Sequence, residues 1–546
     1  MLRHGSLLTL AVACAAAPRP ASACTNILIT PGASKDGSTM ITYSADSHEL
    51  YGELYLYPAR RHRRGAMRRI IDWDTGKPRG QIREARRTYQ VVGNINEHQV
   101  VIGETTFGGR EELTNDKSGV DYGSLMYIAL QRARTAREAI RIITSLAAEH
   151  GYASGGESFS IGDPKEVWLL ELIGKGKAEK GAVWVARRVP DGQVTAHSNY
   201  PRIRSFPRDD PERCIYSRDV ISFARRRGYF KGRDRDFSFS DVYAPRTFKK
   251  LRISEARTWS VLRRVAPSLG LSAEEYILGK DPKRLPLWVK PDRKLSVKDV
   301  MALMRDHYDG TPLDLRNDVG AGPFRLPYRW RPLTWKVDGK TYFNERAIST
   351  QQTGFSFVTQ SRGWLPGAIG GVIWFGVDDT ASTVYVPMYA GIRRVPRAYA
   401  VGTADFKRFS WDSAFWIFNW VSNFAYSRYA DMIKDIRKVQ VELEGRFLAD
   451  QAAVERKALA LHRRSPAQAR AFLTRYSVQQ GQTVARRWRR LGEELLVKYL
   501  DGNVRDDEGK VTHPDYPEAW RRRVVKDRGA HLRLRRLPGE PGKKRR

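Results

Sequence analysis

A cysteine, Cys24, stands directly behind Ala21-Ser22-Ala23 and directly in front of the β-rich run "TNILIT". The segment before it has the layout of a leader: Arg3 and His4, the apolar "LLTLAVACAAA", the helix-breaking Pro18 and Pro20, then small residues on the near side of a cut after Ala23. Charged start, apolar middle and small residues at −3 and −1 describe a secretory signal over residues 1–23. Its apolar run is too short to span a bilayer. Elsewhere the densest apolar stretch is "AFWIFNWV", Ala414 to Val421, which reads as one buried helix face. An exported chain, periplasmic or extracellular and without a transmembrane segment, is therefore expected.

The residues beyond the cut constrain the fold. From Thr25 to Glu49 the pattern is strand, turn, strand: Pro31-Gly32 and Asp36-Gly37 carry turn chemistry, and "TMITYSAD" returns. An antiparallel return brings the Tyr43–Asp46 end back to Cys24. Strand patterns recur in "QVVGNINEHQVVIGETTFGG", "ESFSIGDPKEVWLLELIG" and "AVWVARRVPDGQVTAHSN", and again as "FSFVTQ", "GVIWFGV" and "TVYVPMY". Helical periodicity covers Ser124 to Glu149, Ser254 to Pro267 and Ser296 to Tyr308, and dominates beyond Ser410. The fold class is α+β, with a catalytic body over 24–400, a helical C-terminal region over 401–520 and a basic tail over 521–546.

The apolar fraction of 41% and the 14 tryptophans suffice for a packed core in 546 residues. The net charge of +35 is spread along the chain but has two dense blocks. Arg60 to Arg87 holds eleven Lys or Arg against three acids, and Arg521 to Arg546 holds twelve against two. Such a balance favours anionic surfaces, an envelope polymer among them. Zinc-finger spacing, an RNA-binding aromatic signature and a heptad-plus-basic helix are all missing, so no nucleic acid is expected as a partner.

Three cysteines occur, and Cys14 leaves with the leader. Cys24 and Cys214 could bridge in an oxidising compartment. Cys24 could instead carry lipid, although such signals usually want Leu at −3, where this chain has Ala21. A papain-like pair with His48 or His197 lacks the local signature around the cysteine. His-Glu-x-x-His, Gly-x-Ser-x-Gly, P-loop and dinucleotide motifs are absent, which removes metalloproteases, α/β-hydrolases and nucleotide enzymes from consideration. The remaining option uses the cut itself. Removal of residues 1–23 leaves Cys24 with a free α-amine beside its own thiol. An α-amino group titrates at about 7.7–8.0, so it can act as general base near neutral pH. No metal or organic cofactor is required.

"CTNILITPGASKDGSTMITYSADS" resembles the start of the bacterial dipeptidase A and secernin-related peptidases, which are cysteine N-terminal-nucleophile hydrolases. The resemblance continues through "GETTFGGREEL", "GGESFSIGDPKEVWLLEL", "HSNYPRI", "ARTWSVLRRVAPS", "FVTQSRGWLPGAIGGVIWFGVDDTASTVYVP" and "DSAFWIFNWVSN". It implies an αββα sandwich, hydrolysis of short peptides, typically dipeptides, and kinship with bile-salt and penicillin V acylases. By position it implies Cys24 as nucleophile and base, Asp46 as the acid holding the terminal amine, Asn199 as the oxyanion donor and Arg257 as a cation of the site. One departure is plain. Where the family generally has Arg-Asn, this chain has Tyr43-Ser44, so any cation near the sulfur must come from elsewhere, from Arg257 or Arg202. That departure keeps a non-peptide N-acyl amide hydrolase open. An inactive cationic envelope-binding protein, anchored at Cys24, is the reading of a different class.

Overall fold

Strand β1 (Asn26–Ile29) and its antiparallel return β2 (Met40–Asp46) are buried at every position, so both faces of this hairpin are covered. The computed structural model describes residues 24–115, 119–330 and 333–535 and shows what covers them. The expected leader lies outside the described residues, as does 536–546 of the expected tail.

Next along the chain come β3 (Val101–Gly108), α1 (Tyr122–Arg132), α2 (Ala136–His150), β4 (Gly156–Gly162), β5 (Val167–Gly174), β6 (Ala182–Arg188) and β7 (Val194–His197). Helices α3 (Ala256–Val265) and α4 (Val297–Met304) precede β8 (Thr353–Gln360), β9 (Val372–Val377) and β10 (Val386–Tyr389). Helices α5 (Ala414–Ala425), α6 (Tyr429–Arg464), α7 (Pro466–Lys498) and α8 (Glu518–Leu532) close the described chain.

Two large antiparallel sheets result. The first has the order β7-β1-β2-β8-β9-β10. The second runs from a short edge strand, Cys214–Tyr216, through β6-β5-β4-β3 to three two-residue strands ending at Leu56–Tyr57. Strands β1 and β2 lie against β3 and β4 of the second sheet. Helices α1 and α2 pack on the second sheet, while α3, α4, α5 and α7 pack on the first. The mixed α and β character expected from the sequence is what the structure shows.

One apolar cluster unites the first sheet with its helices: Phe357, Trp374 and Met388 from the strands meet Phe418, Trp488 and Leu495 from α5 and α7. Each fully buried side chain of this size contributes about 1.5–3 kcal/mol. The C-terminal helices thus build the core of the first sheet rather than hanging from it. Close approach is possible because α7 carries Gly492, where a methyl group would come within 2.1 Å of the Trp420 ring. Beyond them α8, which runs from Glu518 into the expected basic tail, buries no residue.

The helix expected over Ser124 to Glu149 is in fact two. The break falls at Ala133, and Thr135 caps the second helix by accepting from the Glu138 amide at 3.2 Å. The Glu138 carboxylate in turn accepts from the Arg134 amide at 2.7 Å. A Thr-x-x-Glu start signal therefore overrides an apolar period that runs on without interruption.

Candidate active site

The β1–β2 hairpin sets Ser44 beside Thr25. The Ser44 amide donates to the Thr25 carbonyl at 3.1 Å, and the Thr25 amide donates to Ser44 Oγ at 3.2 Å. Side chains alternate along a strand, so Ser44 and Asp46 leave β2 on one face, Tyr43 and Ala45 on the other. The Cys24 carbonyl accepts from Arg257 Nη1 at 2.7 Å, whereas its sulfur lies 3.9 Å from Tyr43 Oη and 3.8 Å from Glu104 Oε1.

Arg257 owes its position to the start of α3. A π-helical turn over Leu251–Glu255 feeds that helix, and Arg257 Nε donates to the Ile253 carbonyl at 2.9 Å. Such turns offset the helix face and recur at functional sites. The guanidinium is wholly buried and forks to three acceptors on two segments: the Cys24 carbonyl, Thr25 Oγ1 at 2.8 Å and Asn199 Oδ1 at 2.8 Å. Burial lowers its pKa, while Tyr308, Asp46 and Cys24 act to keep it charged.

Asn199 adopts φ 55°, the left-handed region that asparagine tolerates better than most residues. Its Oδ1 faces the arginine and its Nδ2 donates to the Thr106 carbonyl at 2.7 Å, so the amide is held at both ends.

Asp46 is fully buried. It accepts from Ser44 Oγ at 3.1 Å and from Thr353 Oγ1 at 2.7 Å, and it pairs with Arg346 at 3.5 Å. Burial pushes its pKa up; Arg346, Thr353, Arg257 and Ser44 pull against that shift. Through the Ser44 hydroxyl the carboxylate is linked to the Thr25 amide, one peptide from Cys24.

The sulfur side is acidic. Tyr43 Oη donates to Glu104, and Glu104 is hydrogen-bonded in turn to Glu157. Burial and the proximity of Glu104 push the Glu157 carboxyl far up. Burial, Cys24 and Glu104 likewise raise the Tyr43 hydroxyl well above its usual range, and it stays a neutral donor. Arg202 is not at the sulfur: it donates to the carbonyls of Ala196, at 2.7 Å, and Pro286.

Two other cysteine readings are overturned. No disulfide joins Cys24 and Cys214, and Cys214 sits on the edge strand of the second sheet. His197 shares hydrogen bonds with Thr105 Oγ1 and Ser160 Oγ, each at 2.7 Å, which engages both ring nitrogens within the fold. Burial, reinforced by Arg202, pushes its pKa down to about 3. The unfolded chain thus binds a proton near pH 6.5 that the folded chain refuses. Stability is expected to fall as pH drops from about 6.5 towards 3, by up to about 1.4 kcal/mol per unit from this residue. Urea midpoints of His197→Gln should show a flatter acid limb than those of the parent. His48 is exposed.

A model of peptidase family C69 matches residues 55–442, a span that takes in Asn199 and Arg257. The chain belongs to peptidase family C69. It is therefore an amide-bond hydrolase of the cysteine class. A probable dipeptidase of Salmonella dublin is 25% identical over 395 residues, covering 68% of this chain and 82% of its own length. Dipeptidase A of Lactobacillus helveticus is 23% identical over 416 residues, with 72% and 80% covered. A dipeptidase of Bifidobacterium longum (strain NCC 2705) is 23% identical over 414 residues, with 68% and 72% covered.

In this C69 peptidase the residues singled out from sequence are brought together: Arg257 touches both Cys24 and Asn199, and Asp46 is linked to the same hairpin. Three participants escaped that reading. Glu104 and Glu157 each sit in a strand as a lone acid among apolar and small neighbours, a signal of burial with a partner. Arg346, in "NERAIST", carries no local signal, because its meaning comes from Asp46, three hundred residues earlier in the chain.

Proposed function

We propose that this peptidase is exported, that the leader is cut after Ala23, and that the new terminal residue, Cys24, hydrolyses short peptides, dipeptides among them. The observation that carries the reading is that Arg257 joins the Cys24 carbonyl to Asn199 and the Ser44–Asp46 segment holds the adjoining Thr25 amide, while the sulfur lies beside Tyr43 and Glu104. The names of the relatives support the substrate class. The two sheets in contact, with helices packed on each, support the N-terminal-nucleophile αββα sandwich.

In this mechanism the thiol proton passes to the α-amine as sulfur adds to the peptide carbonyl carbon. The Asn199 amide, aligned by Arg257 and Thr106, donates to the tetrahedral oxygen. The carbon–nitrogen bond then breaks, and the terminal ammonium gives its proton to the leaving amine. Water attacks the thioester with the amine again as base, releasing the acid and restoring the thiol. Asp46 orients the terminal residue through Ser44 and Thr25.

A neutral amine is the working form of the base, so hydrolysis should rise with pH through the α-amino range, about 7.7–8.0, and not through the imidazole range. The pH dependence of kcat/KM checks this. Stoichiometric labelling of Cys24 by a thiol reagent, with parallel loss of dipeptide hydrolysis, tests the reading itself; full activity in fully labelled protein would sink it.

The acidic sulfur side, with Tyr43 and Glu104 in place of a cation, favours a second reading, hydrolysis of N-acyl amides. A panel of dipeptides against acylated amines separates the two. The exposed basic helix α8 is assigned to anionic envelope material, and salt-dependent retention on such material tests that contact.

A further inference from the structure

A cleft of about 260 Å³ opens on the sulfur side of Cys24. Tyr43 lines it and reaches the sulfur at 3.9 Å. Its opposite wall is the segment 72–75 with the start of α1. Four carboxylates border the cleft, those of Glu49, Asp72, Asp74 and Asp121, against one cation, Arg79. Arg79 is engaged by Asp72, Nε to Oδ2 at 2.6 Å. Net negative charge in a concavity is unexpected in a chain of net charge +35.

Two buried polar atoms point to a ligand there. Asp121 is 2% exposed; its Oδ1 accepts from the Ser124 amide at 3.0 Å and the Trp73 amide at 3.3 Å, while Oδ2 finds no hydrogen-bond partner among the described residues. Tyr127, also 2% exposed and also lining the cleft, has a hydroxyl equally without one. A buried acceptor left unpaired bears its whole desolvation penalty, which a bound cation would remove.

The wall is also built to hold a stem. Trp73 and Tyr127 stack with centroids 4.8 Å apart, and Trp73 rests on Gly123, where a Cβ would come within 2.5 Å of the indole. Aromatic faces accept methylene chains and attract the cation at their end. An ammonium group alone would leave most of the cleft empty.

We infer that this cleft selects peptides carrying a cationic side chain, lysine or arginine, on the residue whose carbonyl Cys24 attacks. The inference deepens the peptidase reading and rests on it, so its test has an arm without turnover. kcat/KM is compared for lysyl-alanine and norleucyl-alanine, whose first side chains differ chiefly in charge, using protein from an exporting host and its Asp121→Asn and Asp74→Asn variants. Asparagine keeps the helix cap at 121. Lysyl-alanine should lead by about tenfold or more, the size of a charge-assisted contact. The lead should shrink to about threefold or less in Asp121→Asn, read as a ratio so that losses common to both substrates cancel. No lead, or a lead that neither substitution alters, overturns the inference. Calorimetry with lysinamide and norleucinamide reads the cleft directly. Lysinamide should bind more tightly than norleucinamide and weaken in Asp121→Asn; equal binding overturns the inference even where dipeptides are hydrolysed. Selective lysinamide binding with no dipeptide turnover supports the cation site and counts against the peptidase reading instead.

Discussion

Cys24→Ser is expected to lower dipeptide hydrolysis by about a thousandfold or more with little change in stability. A thiol titrates near 8.5, close enough to a terminal amine for proton transfer between them to be nearly balanced. A serine hydroxyl is far weaker as an acid, and what faces the sulfur is Tyr43, itself a donor to Glu104. The oxygen is smaller than sulfur and sits among the same neighbours, so the hairpin should survive. Processing must be verified by mass in the variant, because the substitution lies next to the cut. Turnover within tenfold of the parent would remove Cys24 from the nucleophile's role.

Arg257→Met is the second large effect. Methionine fills the space of the arginine stem but donates nothing. The Cys24 carbonyl, Thr25 Oγ1 and Asn199 Oδ1 would each lose a donor at buried positions. Each such loss is worth about 1–3 kcal/mol, and together they should destabilise the chain by about 3–5 kcal/mol. Asp46 loses a positive neighbour as well, which drives its carboxyl further up. At temperatures where the variant stays folded, kcat should fall by about a hundredfold or more, since Asn199 is no longer aligned. Arg257→Lys keeps the charge and one donor but not the planar fork, so it should recover part of the stability and less of the rate. Denaturant midpoints and kcat measured side by side check both claims; a methionine variant with parent stability would show that the guanidinium holds nothing together.

How far the sequence could be read depended on the range of each signal. The β1–β2 hairpin was legible because its apolar runs and turn residues lie within twenty-five residues. Strands β8 to β10 were legible for the same reason. The grouping of the candidate site was legible through the resemblance, which set Asn199 and Arg257 with Cys24 across more than 170 residues of chain. Nothing local in "SNYP" or "ARTW" names a partner. The break between α1 and α2 was present as Thr135-x-x-Glu138 and was outweighed by the apolar period on either side. Arg346 and the pairing of Glu104 with Glu157 depend on which strands become neighbours, and that is decided by tertiary packing.

The central claim is that removal of the leader makes one residue both nucleophile and base. Intact mass and N-terminal sequencing of the active exported protein test it most directly. Activity should track the fraction of chains that begin at Cys24 with an unmodified α-amine. Full activity in protein that begins at another residue, or whose Cys24 amine is acylated, would contradict the account.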